Sequence, residues 1–161
     1  MSFLEKDYKK PVNSNYMRFV EGKNKFRVLS DAITGWEYWT TKNKPIRQAD
    51  PFEEMPDDIK TNKFGKQQIN HFWAFVVWNY NAKKVQILEL TQKGIMNAIT
   101  ALINEPDWGD PQGYDIVVTR INGEKTEYQT MATPHSKKPE EAKVGKINLE
   151  AILDGKDPFA V

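Results

Sequence analysis

The sequence of 161 residues predicts a small, mainly β domain of five to six strands with one main α-helix. Three features lead there. The stretch from His71 to Leu90 is strongly apolar and aromatic, broken once by polar turn residues; a single helical stripe of apolar residues runs from Ile95 to Ile103; and strands stand on both sides of that helix in the chain. The length suffices for one domain with a core and is short for two. The expected organisation is a mobile arm over 1–15, a domain over 16–133, and a linker and C-terminal tail with a short helix over 134–161.

The central hairpin is the strongest element. Residues 72 to 78 are β-branched or aromatic apart from Ala74 and contain no Gly or Pro, and Asn79 to Lys84 supplies the turn before apolar residues resume at Val85. A strand exposes alternate side chains on opposite faces. Here both faces are apolar: Trp73, Phe75 and Val77 on one, Phe72, Ala74, Val76, Trp78 and Tyr80 on the other. One face takes the core, and the other needs a helix, a second sheet, a partner chain or a flat ligand. A strand buried on both sides has the same pattern.

Before it, Lys25 to Ser30 alternates as a strand with Phe26 and Val28 inward, and Trp36 to Thr41 forms another with Trp36 and Tyr38 on one face and Glu37, Trp39 and Thr41 on a second, wet face. Pro45 to Gln48 continues an edge strand, and Asp50 to Lys66, with Pro51, Pro56 and Gly65, is a long loop of the kind that is functional or mobile. After the hairpin, Thr91 is the expected cap of a helix carrying Ile95, Ala98, Ile99, Leu102 and Ile103, which Pro106 ends. Strands over Tyr114–Ile121 and Lys125–Thr133 flank an Asn122-Gly123 turn. From Pro134 the composition shifts to Lys, Glu and Pro.

Composition removes several classes of chemistry. Cysteine is absent, so there is no disulfide framework, thiolate metal site or Cys nucleophile, and the two histidines, His71 and His135, have no ligand spacing. No apolar run approaches a membrane span and the first residues lack an apolar signal core, so an intracellular protein is expected. The net charge of +1 is uninformative, but the charges are segregated: Lys42, Lys44 and Arg47, then Lys60, Lys63 and Lys66, flank the acidic run from Asp50 to Asp58.

The order of elements is that of an OB-fold Greek-key barrel with its main helix between the third and fourth barrel strands, a fold that binds oligonucleotides on its second and third strands. Asn15-Tyr16-Met17-Arg18-Phe19, Gly22 to Leu29, Gly35-Trp36-Glu37-Tyr38-Trp39 and His71 to Trp78 resemble a group of bacteriophage single-stranded DNA-binding proteins. More distantly, the strand order and Phe72-Trp73-Ala74 are similar to the core of the T-even phage helix-destabilising proteins. The resemblance spans roughly residues 15 to 131 and implies sequence-independent binding of single-stranded DNA during phage DNA replication and recombination in the host cytoplasm. It implies no catalysis, and no cofactor is expected. Two departures stand out: the Cys/His zinc site of the T-even proteins has no counterpart here, and the tail mixes lysines with acids. Asp157-Pro158-Phe159 is similar to the acidic, Phe-ending tips that dock replication or recombination partners, although Ala160 and Val161 follow.

Such binding needs cations for phosphates and flat rings for bases. The expected DNA-binding residues are Trp39, Lys42, Lys44, Arg47, Lys60, Lys63 and Lys66, with a hairpin ring at Phe72 or Trp73. The pleat lets only one of that pair into the groove. His71 and Asn79 favour Trp73 on the wet side, and the T-even resemblance favours Phe72. Tyr128 is a weaker candidate, better placed in the core. Two other functions remain open: a protein-interaction module using the aromatic face, and a metal-dependent nuclease built on Asp57, Asp58 and Lys60, whose carboxylates are crowded into one loop.

Overall fold

The computed structural model describes residue 3 and residues 15–160, so the arm expected over 1–15 lies almost wholly outside the described residues. Seven strands, β1 (Gly22–Val28), β2 (Ile33–Trp39), β3 (Pro45–Gln48), β4 (Asn70–Asn79), β5 (Lys84–Leu90), β6 (Asp115–Ile121) and β7 (Glu127–Ala132), form one antiparallel sheet with a single main helix, α1 (Lys93–Asn104). The strand order is β3-β2-β4-β1-β6-β7, with β5 on the other edge of β4. β4, the first strand of the aromatic hairpin, is therefore the centre of the sheet, paired with β1, β2 and β5.

β1 and β2 lie end to end along one edge of β4: Val28 faces Val77, and Ile33 faces Ala74. Between those pairs four residues, Leu29 to Ala32, stand opposite only Phe75 and Val76. The result is a bulge that bends the line and leaves Val76 N–H without a backbone partner, a need met by Ser30 Oγ at 2.9 Å. β1 also pairs along its length with β6. Residues 15–20 fill the remaining gap. Met17 N–H donates to Ile87 O on the free edge of β5 at 2.8 Å, and Arg120 of β6 donates to Phe19 O at 2.8 Å.

The inner face packs Phe26, Val28, Phe75, Val77, Leu88, Leu90, Ile116 and Val118 against Ile95, Met96 and Ile99 of α1. The helix begins one residue later than the expected Thr91 cap. Gln92 is the N-cap residue, and its side chain turns back to Thr91 N–H instead of capping the helix.

The outer face of β4 is covered by the chain itself. Leu29, Val76 and Trp78 meet Ala142, Val144, Ile147 and Leu149, while Phe72, Ala74 and Ile87 meet Ile152, Leu153 and Phe159. The segment expected as a linker and loose tail is thus a strap that completes the domain. Its expected short helix is a 3₁₀ segment, Leu149–Asp154, ended by Gly155 in the left-handed region at φ 70°. The strap is pinned at its start by Arg27, which is buried, bonds Asp115 Oδ1 at 2.7 Å and donates to both the carbonyl and the hydroxyl of Ser136. Tyr80 completes this cluster by donating to Asp115 at 2.8 Å, and burial pushes its pKa up to about 12.

Candidate nucleic-acid interface

The parity of β4 decides the choice between Phe72 and Trp73. Phe72 has 0% exposure and lies under the strap on the outer face, so the expectation that it stacks on a ligand is corrected. Gly35 pairs with Phe72 across β2, and a Cβ there would come within 2.9 Å of the Phe72 ring and 2.6 Å of Gln48 O. That tight fit marks a structural ring. Trp73 points the other way, half-buried, with one side on the inner core and the other on open space beneath α1.

The second correction concerns Arg47 and the face expected to be wet. Glu37 is 4% exposed; its Oε2 accepts from Arg47 Nε at 3.0 Å, while Arg47 Nη2 reaches Glu89 Oε2 at 2.8 Å. One guanidinium thus serves two carboxylates from two other strands, which removes it from the cations free for phosphate. Burial first, and then the neighbouring Glu89, push the Glu37 pKa up to about 8, because Arg47 only partly offsets them.

Of the other expected residues, Trp39 is 44% exposed at the end of β2, and its carbonyl accepts Lys60 N–H at 2.7 Å. This bond and the Thr40–Ile59 bridge attach the long loop to the sheet. Ile59 is buried, and Tyr38 donates to Asp58 at 2.9 Å while meeting the Phe52 ring edge-on. Beyond Lys60 the loop forms a finger closed by the Thr61–Gln67 bridge, with Asn62 Oδ1 accepting the N–H groups of both Phe64 and Lys66. Phe64 is 73% exposed at the tip, between Lys63 and Lys66. Tyr128 sits against Phe19 in the core. Asp157, Pro158 and Phe159 are seated on their own domain: Pro158 O accepts Asn148 N–H at 2.8 Å, and Phe159 meets Tyr16 edge-on.

Two open cavities adjoin on this side of the molecule. One, of about 620 Å³, lies between α1 and the sheet and is lined by Trp36, His71, Trp73, Lys93 and Asn97 among others. The second, of about 590 Å³, is lined by Trp39, Lys60, Asn62 and Lys63. Both include Gln68 and Asn70, so they adjoin at the start of β4 and together make the candidate groove, the first on the face of Trp36, His71 and Trp73 and the second beside Trp39. Lys42, Lys44 and Lys66 are exposed but line neither.

Compared with protein-family models, curated proteins and solved structures, the chain has no match. The groove must therefore be interpreted from its own chemistry. Trp36, His71, Phe64 and Lys93 are the residues that sequence reasoning missed. The first two form a cross-strand ring pair, with centroids 4.7 Å apart, that only the register of β2 on β4 brings together. Among the described residues no helix is long and apolar enough to cross a membrane, and no group of three or more His, Asp or Glu is placed to hold a metal ion.

Proposed function

We propose that the protein binds single-stranded DNA, without catalysing its conversion, by laying unpaired bases along the groove between α1 and the finger. One observation carries this reading: two adjoining open cavities present three indoles and three lysines, Trp36, Trp73 and Lys93 in one and Trp39, Lys60 and Lys63 in the other. Indole faces take bases of any kind, and lysines neutralise the backbone, a pairing suited to a strand whose bases are unstacked. Duplex DNA hides its base faces and has no use for rings set in a groove. The fold fits the same reading as an OB-like barrel. With β1 and β2 counted as one bent line, α1 falls between the third and fourth lines, and β3 with the finger is an excursion beside the binding face. The role we assign is the protection and organisation of single strands during phage DNA replication and recombination, as the sequence resemblance suggests.

Titration of oligo-dT at several salt concentrations tests this. Binding is expected to quench tryptophan fluorescence and to weaken steeply with salt. Replacing Lys60 and Lys63 by Ala should make the log–log salt dependence shallower by about 0.7 for each phosphate no longer neutralised. An affinity unaffected by salt would remove the phosphate contribution and the proposal with it.

A further inference from the structure

We propose that the cavity beneath α1 is a subsite for one unstacked nucleobase read at its edge, so that binding along the groove is not blind to sequence at that position. This rests on the single-strand reading above and sharpens it. The cavity differs in kind from the cationic half of the groove near the finger. Its walls are the Trp36–His71 ring pair and Trp73, its floor includes Met96, and Lys93 is the one Lys, Arg, Asp or Glu among the described residues that line it. Asn97 brings a carboxamide to it from α1, and Thr91 adds a hydroxyl. A flat, neutral group with donors and acceptors along its rim suits such walls better than a phosphate does.

His71 Nδ1 is buried without a hydrogen-bond partner among the described residues, and with no accessible surface it does not face the open cavity. The groups placed to meet a base edge there are the Asn97 carboxamide and the Thr91 hydroxyl. Bases splayed out of a strand are stacked on aromatic rings and read by amide side chains, each of which offers donors and an acceptor. Thymine and cytosine present opposite groups there, a carbonyl against an amino group. With the Asn97 carboxamide turned to meet one of them, the subsite favours that base, whereas the stacking surfaces of the rest of the groove treat them alike.

The test compares oligo-dT, oligo-dU and oligo-dC on the full chain and on Asn97→Ala. Asn97 is exposed on the helix and alanine is the better helix former, so the fold is safe. The wild type is expected to separate oligo-dT from oligo-dC by about threefold to tenfold, the range one hydrogen bond provides. Oligo-dU should follow oligo-dT, because the methyl group is not what is read. Asn97→Ala should bring oligo-dT and oligo-dC to within about twofold while leaving the salt dependence unchanged. Equal binding of all three by the wild type, or a separation that survives in the variant, overturns the subsite and leaves single-strand binding standing. Failure of the wild type to bind any of them overturns both.

Discussion

Glu37→Gln gives the sharpest test of the charge cluster behind Trp39. Burial and Glu89 hold the Glu37 carboxyl in its protonated form up to about pH 8, against 4.5 for the free group. Between those values the folded chain retains a proton that the unfolded chain releases, so this group contributes stability that is full below pH 4.5 and lost as pH rises through about 8. Each pH unit of displacement corresponds to about 1.4 kcal/mol, which sets a ceiling of about 5 kcal/mol on the loss. Glu89 and Arg47 share the effect, so a few kcal/mol is the expected size. A carboxamide has the shape of the protonated carboxyl and does not titrate. Urea denaturation followed by tryptophan fluorescence should therefore find the variant close to wild type at pH 5 and more stable at pH 9, with the difference growing between them. If the variant were destabilised by the same amount at every pH, Glu37 would be a plain anionic partner of Arg47 and the account of a protonated Glu37 would be refuted.

Other expectations separate packing from binding. Phe72→Ala should cost about 3 to 5 kcal/mol in denaturation experiments, as a ring removed from a closed core does. Phe64→Ala should leave stability unchanged and weaken oligo-dT binding about fivefold or more if the fingertip ring stacks on a base; a fall in stability instead would mean the ring packs against the protein. A chain ending at residue 133 loses the cover over Phe72, Val76, Trp78 and Ile87. It should fail to fold cooperatively, and a soluble truncated domain with normal thermal unfolding would contradict the role given to the strap. Arg27→Ala should destabilise by about 3 to 5 kcal/mol, because it leaves Asp115 buried without its main partner.

The legible parts of the fold were those with local periodicity. The apolar runs around the Asn79–Lys84 turn specify β4 and β5, and Ile95, Ile99 and their neighbours specify the inner stripe of α1. The strap has no such signal. Ala142, Val144, Ile147, Leu149, Ile152 and Phe159 are spaced irregularly among lysines, prolines and acids, and each fills a position set by β4 and β5. The doubly apolar face of β4 announced that a cover was required but not which segment supplies it. The same ambiguity hid the orientation of Phe72 and Trp73, since alternation gives the two faces without saying which one the helix occupies. Arg47 looked like a free cation because its partners come from β2 and β5, ten and forty-two residues away in the chain. Trp36 and His71 meet only through cross-strand register, so neither looked like part of a site when taken alone.

Photocross-linking tests the central claim most directly, because it reports which side chains lie against the bases. An oligo-dT carrying iodinated uracil, irradiated with the full chain and followed by peptide mapping, should label Trp36, Trp73 and Trp39, with Phe64 at the finger. Adducts confined to the strap or to β7, or cross-linking no greater than with duplex of the same length, would contradict the assignment of the groove to single strands.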